Sequence, residues 1–285
     1  MSDAQSGAPI RRLTPDDIPG CVALAVDRGW PAEPRRWALL LDIAEGWGIT
    51  APDGSLIAAV VLTRHGRVGA VGMMLVSSAH ERRGLGRRLM EHLLCAAREL
   101  DSVFLYATPA GRPLYERLGF RAVHEVATHR GRFSPGPQAH GVETVPLPPD
   151  AVGELRAVDL PVLGFDRARL LMALPDFAES VRVVRDPRHG HVVAYAAAWA
   201  NAGRLAIGPV LAPDLPTARA LVTDLAAGES RPIRLECPLG TGTTLRDWAV
   251  ARGLVEADRC TVMVRGRDLP TDTARMVAPF MQTVG

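Results

Sequence analysis

Apolar residues recur along the chain in two periods, and the order of those periods is written twice. In the first half, Leu13 leads through Thr14-Pro15-Asp16-Asp17 into an apolar-periodic stretch ending near Asp27. In the second, Leu147 leads through Pro148-Pro149-Asp150 into one ending near Asp159. Proline fixes φ and aspartate is favoured at a helix start, so both stretches predict helices. Alternating runs over 54–63, after an Asp53-Gly54 turn, and over 191–199, after Gly190, predict strands. Residues 68–76 and 204–211 extend the echo as further strands. Leu85, Leu89, Leu93 and Leu100 then stripe one helix, and Ala218, Leu221, Val222 and Leu225 its counterpart. Strands over 103–107 and 233–237, helices ending at Phe120 and Leu254, and strands over 121–128 and 260–264 complete the two copies.

Helices alternating with strands in this way are an α/β plan, and two copies imply a tandem duplication. Ser134–His140, rich in Pro and Gly and without apolar periodicity, is the natural joint. The expected division is a first domain over 1–135, a linker over 136–141 and a second domain over 142–285.

Composition narrows the chemistry. All 33 basic residues are arginine, which excludes a lysine Schiff base and a Walker-type phosphate lysine. With a net charge of +2 and arginines scattered along the chain, no nucleic-acid partner is expected. No run approaches the roughly 18 apolar residues of a membrane span, and the first nine residues lack a basic-then-apolar signal. The expectation is a cytoplasmic protein with no membrane partner. Cys21, Cys95, Cys237 and Cys260 are far apart and read as reduced thiols. His189 and His191 have no second ligand pair at zinc spacing, so no metal is expected.

The segment Val76–Leu89 carries the chemistry. A strand ends at Val76, and Gly84-Leu85-Gly86 leads into a helix. Glycines there let the backbone approach a ligand, and the helix's first N–H groups, which have no intrahelical acceptor, face it. With Arg82, Arg83, Arg87 and Arg88 around the turn, the loop is a candidate pyrophosphate cradle. It follows a late strand of its half, where a dinucleotide fingerprint would follow the first.

Residues 70–120 resemble the GCN5-related N-acetyltransferase (GNAT) family. The resemblance rests on the loop Glu81-Arg82-Arg83-Gly84-Leu85-Gly86 and the later Leu114-Tyr115-Glu116-Arg117-Leu118-Gly119-Phe120. Ala107–Tyr115, Gly164–Leu171 and Ile207–Val210 are similar to a bacterial two-domain subfamily and extend the likeness to about residues 10–265. The resemblance implies an α/β (α+β) fold of two tandem GNAT-like domains, each a mixed, splayed central sheet flanked by helices. It implies acetyl-CoA, or another acyl-CoA, as cosubstrate and a small-molecule amine as acceptor. The pyrophosphate would lie on amides of Arg82, Arg83, Gly84, Leu85, Gly86 and Arg87, and the pantetheine along Met74, Leu75 and Val76. Tyr115 matches the family's acid. Three positions depart from the pattern: Glu81 replaces Gln or Arg, Thr108 stands where many members carry Asn, and the Met73-Met74 strand offers no glutamate.

The general base is open among His65, His80, His92, His124, Asp27, Asp42 and Glu45. Two other readings remain: a non-catalytic acyl-CoA sensor, and a transferase using a longer acyl-CoA or an acyl carrier protein. The second copy reads as degenerate, with Ala249 aligned to Tyr115 and a Pro-rich loop over 209–216 in place of Gly-x-Gly. Its expected role is to wall the acceptor cleft, with Trp30 of the first half and, at the matching position of the second, Asp166 and Arg167 as acceptor-binding residues.

Overall fold

The continuous apolar run Leu56–His65 is a strand buried on both faces, as an interior strand between helical layers should be. Ala59 and Val61 enter one core, and Ala58, Val60 and Leu62 the other. Its counterpart Val192–Asn201 divides in the same way, with Tyr195, Ala197 and Trp199 on one face and Ala194, Ala196 and Ala198 on the other. The computed structural model describes residues 8–134, 141–240 and 244–284, so most of the expected linker lies outside the described residues.

In the first half, β1 (Ile10–Arg12) precedes α1 (Ile18–Asp27) and α2 (Pro34–Ile43). Then come β2 (Glu45–Thr50), β3 (Leu56–His65) and β4 (Val68–Val76). The half ends with α3 (Leu85–Ala96), β5 (Ser102–Ala107), α4 (Arg112–Arg117) and β6 (Arg121–Gly131). The second half repeats the order. It runs β7 (Val145–Pro146), α5 (Arg156–Leu163), α6 (Ala168–Phe177), β8 (Ser180–Arg185), β9 (Val192–Asn201) and β10 (Arg204–Leu211). It continues through α7 (Leu215–Leu225), β11 (Ile233–Leu239), α8 (Leu245–Val250) and β12 (Val255–Gly266), with a further short strand, β13 (Met276–Ala278).

One sheet runs through both halves in the order β1-β2-β3-β4-β5-β12-β6-β11-β10-β9-β8-β7, with β13 attached to β10. The order reads alike from either end because the last strands are exchanged. Thr261–Gly266 of β12 pair with β5, while Glu125–Gly131 of β6 pair with β11. On one face α1, α2, α5 and α6 share a single core, where Trp37, Phe104, Phe165, Leu171 and Phe280 meet. On the other face α3 and α4 cover the first half and α7 and α8 the second, over separate cores.

Two breaks interrupt the parallel pairing. β4 runs parallel to β5 only from Val68 to Val71, and β10 to β11 only from Leu205 to Ile207. A glycine follows each, Gly72 and Gly208, and each strand is bulged just beyond it. Both glycines are covered by one segment. A Cβ on Gly208 would lie 2.4 Å from the Pro279 carbonyl, and one on Gly72 would lie 2.6 Å from that of Thr283.

Candidate active site

The first break opens a cleft of about 1470 Å³, reached by Met74, Leu75 and Val76 from β4, the 81–87 loop, Tyr106 from β5 and Tyr115 from α4. Gly84 caps α3 with φ +78°, a conformation glycine adopts without strain. No side chain caps this helix, so the first amides after Gly84 keep their donors for a ligand. Loop start, strand end and α4 converge here: the direction of a Gly86 Cβ meets Val76, Leu114 and Met74 at 3.5, 3.6 and 3.7 Å. Glu81 is held by Arg28 at 2.5 Å, which offsets its negative charge at the loop. Asp27 fixes the approach to the loop by accepting the Ser78 N–H and Oγ–H at 2.6 and 2.7 Å.

Tyr115 is 8% exposed, against Phe120 on one side and Gly111 on the other. Burial pushes its phenol up to about 12, so it carries its proton at neutral pH. Thr108 starts α4 by accepting the Gly111 N–H at 3.2 Å.

The acetyltransferase (GNAT) domain family matches this chain twice, over residues 45–122 and again over residues 155–278. Over 276 residues the chain is 26% identical to YitH, an uncharacterized N-acetyltransferase of Bacillus subtilis strain 168, covering 96% of this chain and 97% of that one. In fold it is similar to a putative acetyltransferase from Pyrococcus horikoshii, with a TM-score of 0.79 at 19% identity over 98% and 96% of the two chains. A tandem GNAT protein of the clavulanic acid biosynthesis pathway gives a TM-score of 0.65 at 15% identity over 91% and 99%. The chain belongs to the GCN5-related N-acetyltransferases. It is an N-acetyltransferase with two GNAT domains in tandem, and acetyl-CoA is the cosubstrate of its family.

In GNAT terms, the residues expected to hold the cosubstrate come together: Met74, Leu75, Val76, Arg82, Gly84, Leu85, Gly86 and Arg87 all line the cleft. Arg83 does not; it is exposed outside it. Of the base candidates only His80 lines the cleft, with Nδ1 3.0 Å from Ser77 Oγ. His65 is buried and its Nε2–H donates to the Val284 carbonyl at 2.9 Å. Desolvation, with Arg167 nearby, pulls His65 down to about 4, so it stays neutral. Burial also lowers His124. Glu45 is engaged by Arg12 and Arg64, and His92 packs edge-on against Trp47.

Trp30 lines the cleft as expected, but Asp166 and Arg167 do not. Arg167 is 2% exposed, and its guanidinium pairs with Asp159 at 2.6 Å beneath Tyr195. Asp166 faces outward to Arg156 at 2.8 Å. The second half walls the cleft with other residues. Trp199 and Asn201 come from β9, Arg204 from β10, Arg234 from β11 and Asp258 and Cys260 from β12, facing Arg36 of α2 and Thr128 and Arg130 of β6. Met281, Gln282 and Thr283 lie among them. Burial lowers Arg36 despite the opposing pull of Glu33. The sequence carries no local signal for this wall, because the strand exchange assembles it from distant segments.

Among the described residues the second break is filled rather than open. β13 pairs with β10 at Val210 and Leu211, beyond the point where β10 leaves β11. The carboxylate of Asp214 accepts the Thr217 N–H at 2.8 Å and caps α7, whose second residue, Pro216, has no N–H. Ala249 is fully buried where the first half has Tyr115. Away from both breaks, Asp186, His189 and His191 bring ligand atoms within 4.8 Å of one another on the β8–β9 turn, where Asp186 also accepts two backbone N–H groups.

Proposed function

We propose that the first half transfers an acetyl group from acetyl-CoA to the primary amine of a small molecule by direct attack, with Tyr115 as the acid. The observation that carries this reading is the convergence at Gly86 of an uncapped helix start, the freed edge of β4 and the helix bearing Tyr115. The amides after Gly84 hold the pyrophosphate. The β4 edge from Met74 to Val76, no longer paired to β5, offers backbone hydrogen bonds to the pantetheine.

The neutral amine attacks the thioester carbonyl; the C–N bond forms, the C–S bond breaks, and the thiolate takes the Tyr115 proton. A phenol raised to about 12 suits a buried thiolate, since the same burial raises the thiol's own pKa. The amine's surplus proton leaves through the polar side of the cleft, where His80 and Asp258 stand, and the Tyr115 phenolate takes a proton back from solvent. The test is release of free CoA thiol from acetyl-CoA across a panel of primary amines. Amine-dependent release supports the reading. Acetyl-CoA binding without turnover on any amine would instead favour a sensor.

A further inference from the structure

On the acceptor side of the cleft three buried donors have no hydrogen-bond acceptor. Arg36 reaches Glu33 through Nη2 at 2.7 Å and stacks over Trp199 at 5.5 Å, yet its buried Nε has no partner. Arg130 pairs with Asp258 through Nη2, and its buried Nε also lacks a partner. The indole Nε1 of Trp199, on a side chain 3% exposed, is a third buried donor without an acceptor. Arg234 is spent on Glu236 and on Asn201 Oδ1 at 3.3 Å. Arg204 makes no ion pair among the described residues and reaches only the Ala202 carbonyl, at 3.4 Å. All five line the cleft beside Gln282 and Thr283. A buried donor left without an acceptor is costly, and three in one wall beside an unpaired arginine suit an oxyanion.

The charge count sets which oxyanion. Of the five arginines on this side, Arg36, Arg130 and Arg234 pair with Glu33, Asp258 and Glu236, Arg259 pairs with Glu125 and Glu256, and Arg204 alone has no carboxylate partner among the described residues. That single unpaired guanidinium suits a monoanion; a phosphate dianion would bring a second negative charge with no unpaired arginine left to meet it. Resting on the proposed acetyl transfer, we propose that the acceptor is an amino-carboxylate, its carboxylate received by Arg204, Arg36 Nε, Arg130 Nε and Trp199 Nε1 while its amine points toward Tyr115. Through Trp199 and Arg204 the second GNAT domain then shares in the acceptor specificity of the first.

The probe is the series of linear ω-amino carboxylates from glycine to 6-aminohexanoate, each beside its primary amide, with 2-aminoethyl phosphate as the dianion. Binding is read by calorimetry on the full chain with CoA present, and thiol release from acetyl-CoA is read separately at matched concentrations of neutral amine. At least one carboxylate should bind tenfold or more tightly than its amide and outbind the phosphate. Trp199→Phe, which keeps the ring against Phe177 and Phe280, and Arg204→Gln, at a half-exposed site, should each weaken that carboxylate about tenfold or more and narrow its lead over the amide. The affinity for acetyl-CoA should hold. Amides binding as well as acids, phosphate binding best, no member binding, or variants that leave the acid-to-amide ratio unmoved would each overturn the inference. Carboxylate binding without thiol release would retain it and count against the acetyl transfer alone.

Discussion

The β4/β5 and β10/β11 breaks are corresponding places in two copies of one fold, and their contents are opposite. The first opens into a cleft; the second is occupied by β13. The helix beyond each break differs in the same sense. α3 starts uncapped at Gly84, whereas α7 starts under the carboxylate of Asp214. A duplicated fold that gives up a cosubstrate site would therefore change more than one segment. The vacated strand edges are re-paired and the helix donors re-satisfied, since unpaired backbone groups shielded from water are costly. One segment serves both copies: Met276–Ala278 pairs in the second break, and Met281–Thr283 line the first cleft.

If the acid belongs to the first copy alone, Tyr115→Phe is the most damaging conservative change. It should lower kcat about 10²- to 10⁴-fold while acetyl-CoA affinity holds. An unchanged kcat from pH 7 to 9 would remove Tyr115 from the chemistry, and a large loss of acetyl-CoA binding would recast it as packing.

Arg167 sharpens the contrast between wall and core. Arg167→Ala should cost about 3–5 kcal/mol of stability, because it leaves Asp159 buried without its partner. The urea midpoint should fall, and the acceptor KM of the folded fraction should stay unchanged. A stable variant with a raised acceptor KM would return Arg167 to the binding site.

A smaller effect comes from His65, which joins the first copy to the segment filling the second through the Val284 carbonyl. Its folded pKa lies near 4 against an ordinary value of 6.5. As pH falls, the unfolded chain takes the proton first. The stabilisation is therefore whole above pH 6.5 and declines toward pH 4, by up to about 3 kcal/mol. His65→Gln should flatten the stability profile across that window; an equally steep profile would place the acid sensitivity elsewhere.

What the sequence discloses follows the range of the interactions. The Gly84–Gly86 turn and the Tyr115–Phe120 helix end are set by neighbours a few residues away, so spacing reveals them. The duplication is legible for the same reason, each element carrying its own period and punctuation. The pairing of Glu81 with Arg28 joins two loops and leaves no trace in either. Asp166 and Arg167 look alike as adjacent charges, but one faces solvent and the other the core; only the packing of α5 against β9 separates them. Trp199, Arg204, Arg130 and Asp258 meet because β6 and β12 change places, a choice that two equally apolar strands do not encode locally. β13 is three residues long, too short for any period to show.

The central claim is that each chain binds one acetyl-CoA, in the first break. Calorimetric titration of the full chain should give one site, abolished by Gly86→Asp. The new Cβ meets only ordinary contacts at 3.5–3.7 Å, so the variant should fold with an unchanged melting temperature while its carboxylate takes the pyrophosphate's place. Two equivalent sites, or full-affinity binding in folded Gly86→Asp, would contradict it.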